Sequence, residues 1–252
     1  MNCPRAALFD LDDTLAESFQ PPAPEMVDRL LAVLEHMPVA ILTAAGMPRI
    51  ERQFLDKMVT SRHIDRFYVL PNSAAQCFTY KSGTQECAYS LGLSETEREK
   101  ITRAIQESIA QTNIVEGSHA TPQIIPREAQ VAVAFLGLDA GALEKATWDP
   151  TQSKRRAMKT LLEQKIPEFE ILIGGYTTID ITRKGVDKAY GVRWLSTALN
   201  IPAEEMLYVG DAFYEGGNDV VVVATGVQTR VTSGPHETLM IIDELLRSCG
   251  GQ

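Results

Sequence analysis

The sequence predicts an α/β protein, a doubly wound parallel sheet interrupted by an inserted α+β unit. Three observations carry this. Short, wholly apolar runs alternate with amphipathic helical patterns at both ends of the chain, the mark of strands buried on both faces of a parallel sheet. Two of those runs, 6–9 and 206–209, lead into acidic residues, and the carboxyl ends of strands are where open α/β sheets place their ligands. Between about residues 80 and 183 the alternation lapses into a less regular mixture of helix and strand.

The elements follow in order. Ala6-Ala7-Leu8-Phe9 reads as a buried strand ending at Asp10. Pro21, Pro22 and Pro24 break the chain, after which Met26, Leu30, Leu31, Val33 and Leu34 recur at helical spacing. Pro38 ends that helix, and Val39-Ala40-Ile41-Leu42 forms a second strand that closes on Thr43 and the small-residue turn Ala44-Ala45-Gly46. Such a β-α-β unit implies parallel pairing. A helix over 49–58 and a strand over 67–70 come next. The boundary of the insert is placed near Thr79, so residues 1–79 and 184–252 form the predicted core and 80–183 the predicted cap. Within the cap, a hairpin over 77–87 turns at Lys81-Ser82-Gly83-Thr84. Ser94 and Glu97 suit a capping box opening a polar helix to about Thr112. A half-buried strand is predicted over 131–136, a helix over 152–164, and strands over 169–173 and 177–182. From Gly185 the alternation resumes, with a helix over 188–200, strands over 206–209, 220–224 and 227–231, and a closing helix over 237–249.

Of the 252 residues, 44% are hydrophobic and 23% charged, enough to bury a sizeable core. Lys plus Arg number 24 and Asp plus Glu 33, a net charge of 24 − 33 = −9. Nucleic acid is therefore not an expected partner, and an anionic substrate has to be drawn by local positive charge or by a metal. Cys3, Cys77, Cys87 and Cys249 form no CxxC pair and are too sparse for a disulfide scaffold. A reducing, cytoplasmic setting is expected, with no membrane anchor, because the apolar run at 6–9 is far too short for a signal peptide or a span.

The chemistry concentrates at strand ends. Asp10-Leu11-Asp12-Asp13-Thr14 puts two carboxylates two residues apart just past a strand; Thr43 follows the second strand, Lys188 opens a helix, and Gly210-Asp211 follows the strand 206–209. Together they supply a carboxylate nucleophile, a second acid, a hydroxyl and an ammonium for phosphate oxygens, and a further carboxylate for a hard cation, which is a phosphoryl-transfer inventory.

In order and context these residues resemble the four motifs of the haloacid-dehalogenase superfamily. The position of the insert, between the second and third motifs, resembles the branch with a type-two (C2) cap, subfamily IIB. The resemblance implies that Asp10 is the nucleophile forming an aspartyl-phosphate and Asp12 the acid that protonates the leaving oxygen and later activates water. It implies Mg2+ held by the Asp10 carboxylate, the Asp12 backbone carbonyl and Asp211. Thr43 and Lys188 match the second and third motifs and hold phosphoryl oxygens. Lys184 is a rival for the third, but Lys188 opens the amphipathic helix, where its ammonium and the helix N-terminus can face one phosphate.

The fourth motif, Gly210-Asp211-Ala212-Phe213-Tyr214-Glu215-Gly216-Gly217-Asn218-Asp219, resembles that of the eukaryotic-type phosphomannomutases and nearby sugar-phosphate phosphatases. It implies that Asn218 serves the phosphate and Asp219 the metal, directly or through a neighbour, with Glu215 an exposed loop residue. In the insert, Ile173-Gly174-Gly175-Tyr176-Thr177-Thr178-Ile179-Asp180 with Gly185-Val186-Asp187-Lys188, and Pro126-Arg127, are similar to phosphomannomutase cap elements. Arg127, Thr178 and Asp180 are thus candidate contacts to a sugar or its distal anionic group; equally, Thr178 and Asp180 could merely close a strand. Trp148-Asp149-Pro150 reads as a packing corner.

Three departures bear on the reaction. Asp13 stands where most relatives have glycine, residues 15–24 lack the arginine that mutases carry there, and the region around Arg127 lacks their additional arginines. A mutase must hold a bisphosphorylated intermediate by its second phosphate, which calls for fixed positive charge. The expectation is therefore a Mg2+-dependent phosphoric monoester hydrolase acting on a sugar phosphate or similar phosphomonoester. The alternatives are a phosphomannomutase-like phosphosugar mutase and a non-catalytic binding module. Whether the chain is a monomer or a homodimer is left open.

Overall fold

A computed structural model describes residues 3–112, 114–115 and 120–250. The first sheet has seven strands: β1 (Ala6–Phe9), β2 (Val39–Leu42), β3 (Phe67–Leu70), β4 (Gln76–Lys81), β5 (Thr84–Ser90), β10 (Met206–Gly210) and β11 (Gln228–Val231), in the order β11-β10-β1-β2-β3-β4-β5. From β11 to β3 all pairs are parallel, while β4 and β5 are antiparallel. β1 lies inside the sheet, between β10 and β2, and every one of its residues is buried.

The all-apolar runs have a physical cause. Strand side chains alternate between faces, and both faces are covered. Ala7, Phe9, Val39, Ile41, Phe67, Val69, Leu207 and Val209 meet α1 (Pro24–His36), the 47–58 helical segment and the closing helix Pro235–Cys249. Their neighbours Ala6, Leu8, Ala40, Leu42, Met206 and Tyr208 meet Val192 and Leu195 of the helix Lys188–Leu199, together with Val222. The 47–58 segment starts as α2 (Met47–Ile50) and continues through a π-helical turn, Glu51–Leu55, to Asp56–Met58.

A second, antiparallel sheet joins β6 (Gln123–Pro126), β7 (Val131–Ala134), β8 (Phe169–Gly174) and β9 (Thr178–Arg183) in the order β6-β7-β9-β8. Val131, Val133, Ile171, Ile179 and Ile181 pack against Ile101 and Ile105 of α3 (Glu95–Thr112) and Met158 and Leu162 of α5 (Ser153–Lys165). The capping box is present: the Glu97 amide donates to Ser94 Oγ at 3.2 Å and the Ser94 amide to Glu97 Oε2 at 2.7 Å. Between these elements lies α4 (Ala142–Trp148), and the last two helices are α6 (Lys188–Leu199) and α7 (Pro235–Cys249).

Several sequence expectations are corrected. The hairpin 77–87, assigned to the insert, is hydrogen-bonded to β3 through the pair Val69↔Phe78 and extends the first sheet. The predicted strand over 220–224 is a 3-10 helix, Val220–Thr225, with only Val222 buried; its valine run suggests a strand, but β11 occupies the edge beside β10. Strand β6 and helix α4 had no recognisable pattern.

The cysteines are also corrected. Cys3 and Cys249 form a disulfide, with Cα atoms 5.2 Å apart across a sequence separation of 246 residues. Only the fold brings the segment before β1 beside the end of α7, so spacing could not show it. Closing so long a loop restrains the unfolded chain and is worth up to about 5 kcal/mol. Reduction, or Cys249→Ser, is expected to lower the unfolding midpoint in calorimetry by about 5–10 °C; an unchanged midpoint would show that the bridge restrains nothing. Among the described residues no helix is long and apolar enough to cross a membrane.

Candidate active site

Parallel strands deliver their carboxyl ends to one edge of the sheet, and the motif residues collect there. Asp10 follows β1, with its amide donating to the Val209 carbonyl at 3.0 Å. Thr43 follows β2; its amide donates to the Leu70 carbonyl at 3.1 Å and its Oγ1 accepts from the Ala45 amide at 3.0 Å. Asp211 follows β10, 3.4 Å from the Thr14 hydroxyl that donates to it. Lys188 is the first residue of α6, whose N-cap Asp187 accepts the Tyr190 amide at 2.8 Å. Lys184 lies apart, well exposed and paired with Glu170 at 3.3 Å.

Lys188 is only 2% exposed, yet its ammonium is fully engaged. Nζ sits 2.8 Å from Asp10 Oδ1 and 2.6 Å from Asp219 Oδ1, and donates to Asn218 Oδ1 at 3.4 Å. Asp219 also accepts from the Tyr208 hydroxyl at 2.6 Å and the Ala212 amide at 3.0 Å, so three donors hold its two oxygens. Gly210 is required beside it, because a β-carbon there would overlap the Asp219 carboxylate.

Charge does not balance here. Asp10, Asp211 and Asp219 each offer an oxygen within 4.8 Å of the others', against one ammonium. Burial pushes the Asp10 carboxyl well above its ordinary range, with Lys188 opposing and Asp219 and Asp211 adding to the rise. Burial and then Asp219 push Asp211 to about 6. The pull of Asp10 and Asp219 outweighs burial at Lys188 and raises its pKa. An all-oxygen donor set with excess negative charge fits a hard divalent cation. Since Asp219 is already taken by its three donors, Asp10 and Asp211 are the side chains best placed to hold one. The Asp12 carboxylate is turned to Arg49 and is not free for that purpose.

A cavity of about 210 Å³ opens above this cluster. Its walls include Asp10, Asp12, Thr43, Asp211 and Asn218 from the strand-end loops, Arg127 just past β6, and Thr178 and Asp180 from β9. Period-two alternation decides the last two: Ile179 and Ile181 face the helices, so Thr178 and Asp180 face the cavity. Thr178 Oγ1 donates to the Gly174 carbonyl at 2.7 Å. Burial lifts Asp180 to about 6, opposed by Arg127 and Lys188. Arg127 reaches across to the first sheet, donating to the Ala44 carbonyl at 3.0 Å and to Gln130 Oε1 at 2.7 Å. It lies against Gly46, where a β-carbon would come within 3.2 Å of Arg127 Cδ.

Asp13 adopts φ 56°, the left-handed region that explains why glycine suits this position. Its carboxylate accepts from the Ser18 hydroxyl at 2.7 Å and the Ser18 amide at 3.1 Å. Glu215 is exposed and meets Arg156 at 3.4 Å.

Two functional arrangements escaped sequence reasoning. Arg49, on α2, forks onto Asp12, with Nη1 donating to Oδ2 at 2.9 Å and Nη2 to Oδ1. Its place just past the second motif strand was the available signal. The Asp149 corner is more than packing: its buried carboxylate accepts from Arg155 Nε at 3.0 Å, and Arg155 Nη1 donates to the Gly174 and Gly175 carbonyls at 3.1 and 2.6 Å. That pair fixes the glycine turn in the cavity wall.

A family model described as eukaryotic phosphomannomutase matches residues 26–248. The chain belongs to the eukaryotic phosphomannomutase family. Among curated relatives, the phosphomannomutase of Spinacia oleracea is 27% identical over 248 residues, covering 95% of this chain and 94% of its own. Solved structures bear on the fold alone. An IMP-bound, N-terminally truncated IMP-nucleotidase of Plasmodium falciparum superposes with a TM-score of 0.72 at 15% identity, over 97% of this chain and 68% of that one. A haloacid dehalogenase-like hydrolase from Bacteroides thetaiotaomicron gives 0.63 at 13% identity, over 96% and 99%. Both support the haloacid-dehalogenase fold. Membership of the phosphomannomutase family overturns the expectation of a phosphoric monoester hydrolase, since the curated relatives are named as mutases, which are isomerases. That expectation rested on missing arginines in two stretches of sequence and overlooked Arg49.

Proposed function

We propose that this chain is a Mg2+-dependent phosphosugar mutase that moves a phosphoryl group between hydroxyls of a hexose phosphate, mannose phosphate in the first instance, through a phosphorylated Asp10. The observation that carries the reading is the pair of guanidinium groups, Arg49 from the first sheet's loops and Arg127 from beside the second sheet, lining one cavity with Asp10. Their charge suits the second phosphate of a bisphosphorylated intermediate.

In this reading Asp10 attacks phosphorus, while Asp12 gives a proton to the departing sugar oxygen and takes one back from the other hydroxyl. Thr43, Lys188 and Asn218 hold the transferred phosphoryl group. Asp10, Asp211 and the Asp12 carbonyl would hold Mg2+, which would supply neutralisation of phosphoryl charge when bound, and Asp219 positions Lys188. Arg127, Thr178 and Asp180 read the sugar and its distal phosphate. The second sheet and its helices serve as the cap, entered after β5 because the β4–β5 hairpin belongs to the first sheet.

The test is conversion of mannose 6-phosphate to mannose 1-phosphate primed by a hexose bisphosphate. Arg127→Ala should lower that conversion by about ten- to a hundred-fold, the loss of a charge-assisted contact, while turnover of a generic aryl phosphate changes little. Release of inorganic phosphate without isomerisation would overturn the reading.

The metal carries its own expectation, read without activity. Asp211 binds its proton more tightly folded than unfolded, so its ionisation costs stability above a pH of about 6 and costs none where both states are protonated. Mg2+ competes with that proton. It should raise the unfolding midpoint more at about pH 7.5 than at about pH 5, and Asp211→Asn should reduce the rise. An equal rise at both values, or a zinc-specific one, would contradict the oxygen site.

A further inference from the structure

An acid-base carboxylate beside a phosphorylated aspartate can activate water as readily as a sugar hydroxyl, and a mutase must discourage the first. The surroundings of Asp12 bear on this. Three donors occupy its carboxylate: Arg49 Nη1 on Oδ2 at 2.9 Å, Arg49 Nη2 on Oδ1, and the Phe19 amide on Oδ1 at 2.9 Å. The clamp is itself held. Phe19 sits at φ 64°, a left-handed conformation that a non-glycine side chain seldom adopts. Its ring lies 5.1 Å from the Arg49 guanidinium carbon and 4.3 Å from the Lys145 ammonium of α4. Lys145 comes from the insert, Phe19 and Arg49 from the strand-end loops, so the Asp12 clamp touches both halves of the cavity. Arg49 Nε is buried with no hydrogen-bond partner among the described residues, an unfilled donor on a residue that lines the cavity.

We infer that Arg49 is a positioning residue that holds Asp12 in reserve, and that an anionic group on the bound phosphosugar draws the guanidinium away and releases it. This rests on the roles proposed above for Asp10 and Asp12. In the released state, protonated Asp12 gives its proton to the ester oxygen as the P–O bond to the sugar breaks and phosphorus bonds to an Asp10 oxygen. In the second half, the Asp12 carboxylate takes the proton of a sugar hydroxyl whose oxygen bonds to phosphorus as the Asp10–phosphorus bond breaks. Water in place of that hydroxyl gives inorganic phosphate by the same exchange. With no second anionic group in the cavity, Arg49 stays on Asp12 and water finds no base.

The test uses p-nitrophenyl phosphate, whose leaving group departs without acid help and which carries no distal anion. Its turnover therefore reads the attack of water on phosphorylated Asp10. Arg49→Ala should raise that turnover by about tenfold, part of the hundredfold or more that a positioned base contributes. Arg49→Lys should raise it less, since an ammonium can hold the carboxylate but not fork onto both oxygens. Isomerisation of mannose 6-phosphate should fall in Arg49→Ala, and a merely structural role would lower both activities. Aryl phosphate turnover equal to or below wild type, in a variant with unchanged circular dichroism, would overturn the inference. Should the alanine variant not fold, Arg49→Gln gives the same comparison with a neutral side chain of similar length. Absence of isomerisation in the wild type, with raised aryl turnover in the variant, would remove the mutase reading and leave the hold on Asp12 standing. The converse would remove only the hold.

Discussion

Asp10→Asn is expected to abolish phosphoryl transfer, by at least about 10⁴-fold, while the protein stays folded. An amide is a poor nucleophile, and it cannot balance the Lys188 ammonium 2.8 Å away. The fold survives because the change removes one of three carboxylates crowded around a single ammonium. Lys188 keeps Asp219 at 2.6 Å, so no charge is left buried and alone. The measurement is turnover of mannose 6-phosphate and of p-nitrophenyl phosphate beside circular dichroism on the same preparation. Substantial turnover of either substrate in a verified, uncontaminated variant would sink the assignment of Asp10 as nucleophile.

Lys188→Met should be damaging in a different way, to the fold as well as to the reaction. The methionine fills the volume but leaves Asp10 and Asp219 buried without their cation, and breaking a buried pair costs about 3–5 kcal/mol. For a chain of this size the unfolding midpoint should drop by about 10 °C at neutral pH. The sign of the pH dependence follows from the carboxylates. Burial already raises Asp10 well above its ordinary value and Asp211 to about 6. A carboxylate with a raised folded pKa costs stability when ionised and is relieved as the pH falls toward that value, so the gap between variant and wild type should narrow between about pH 7.5 and pH 5. Calorimetry at both pH values checks this. A gap that does not change with pH would mean that the loss comes from packing and not from unpaired charge.

Much of the site was legible in the chain because it depends on local order. A strand buried on both faces must be apolar, and the residue after it must emerge at the sheet edge; local order alone therefore puts Asp10, Thr43 and Asp211 there. Helix α6 likewise announced Lys188 by its apolar spacing. Thr178 and Asp180 could be named but not aimed, since alternation along β9 states that two faces exist and leaves unstated which of them meets the cavity. The expectation of a hydrolase failed for a related reason. Positive charge was counted in two stretches of sequence, whereas Arg49 reaches the cavity from the connection after β2.

The sequence by itself determined the order of the strands' apolar runs, the motif residues at their ends and the interruption of the α/β pattern, because each follows from chain-local periodicity and turn chemistry. Only the tertiary structure decided which charges meet. The Arg49 fork on Asp12, the triple hold on Asp219, the buried Asp149–Arg155 pair and the Cys3–Cys249 bridge join residues whose adjacency no local pattern encodes. Three of the four are electrostatic, and a charge's pairing depends on distance and burial, quantities that exist only once the chain has folded.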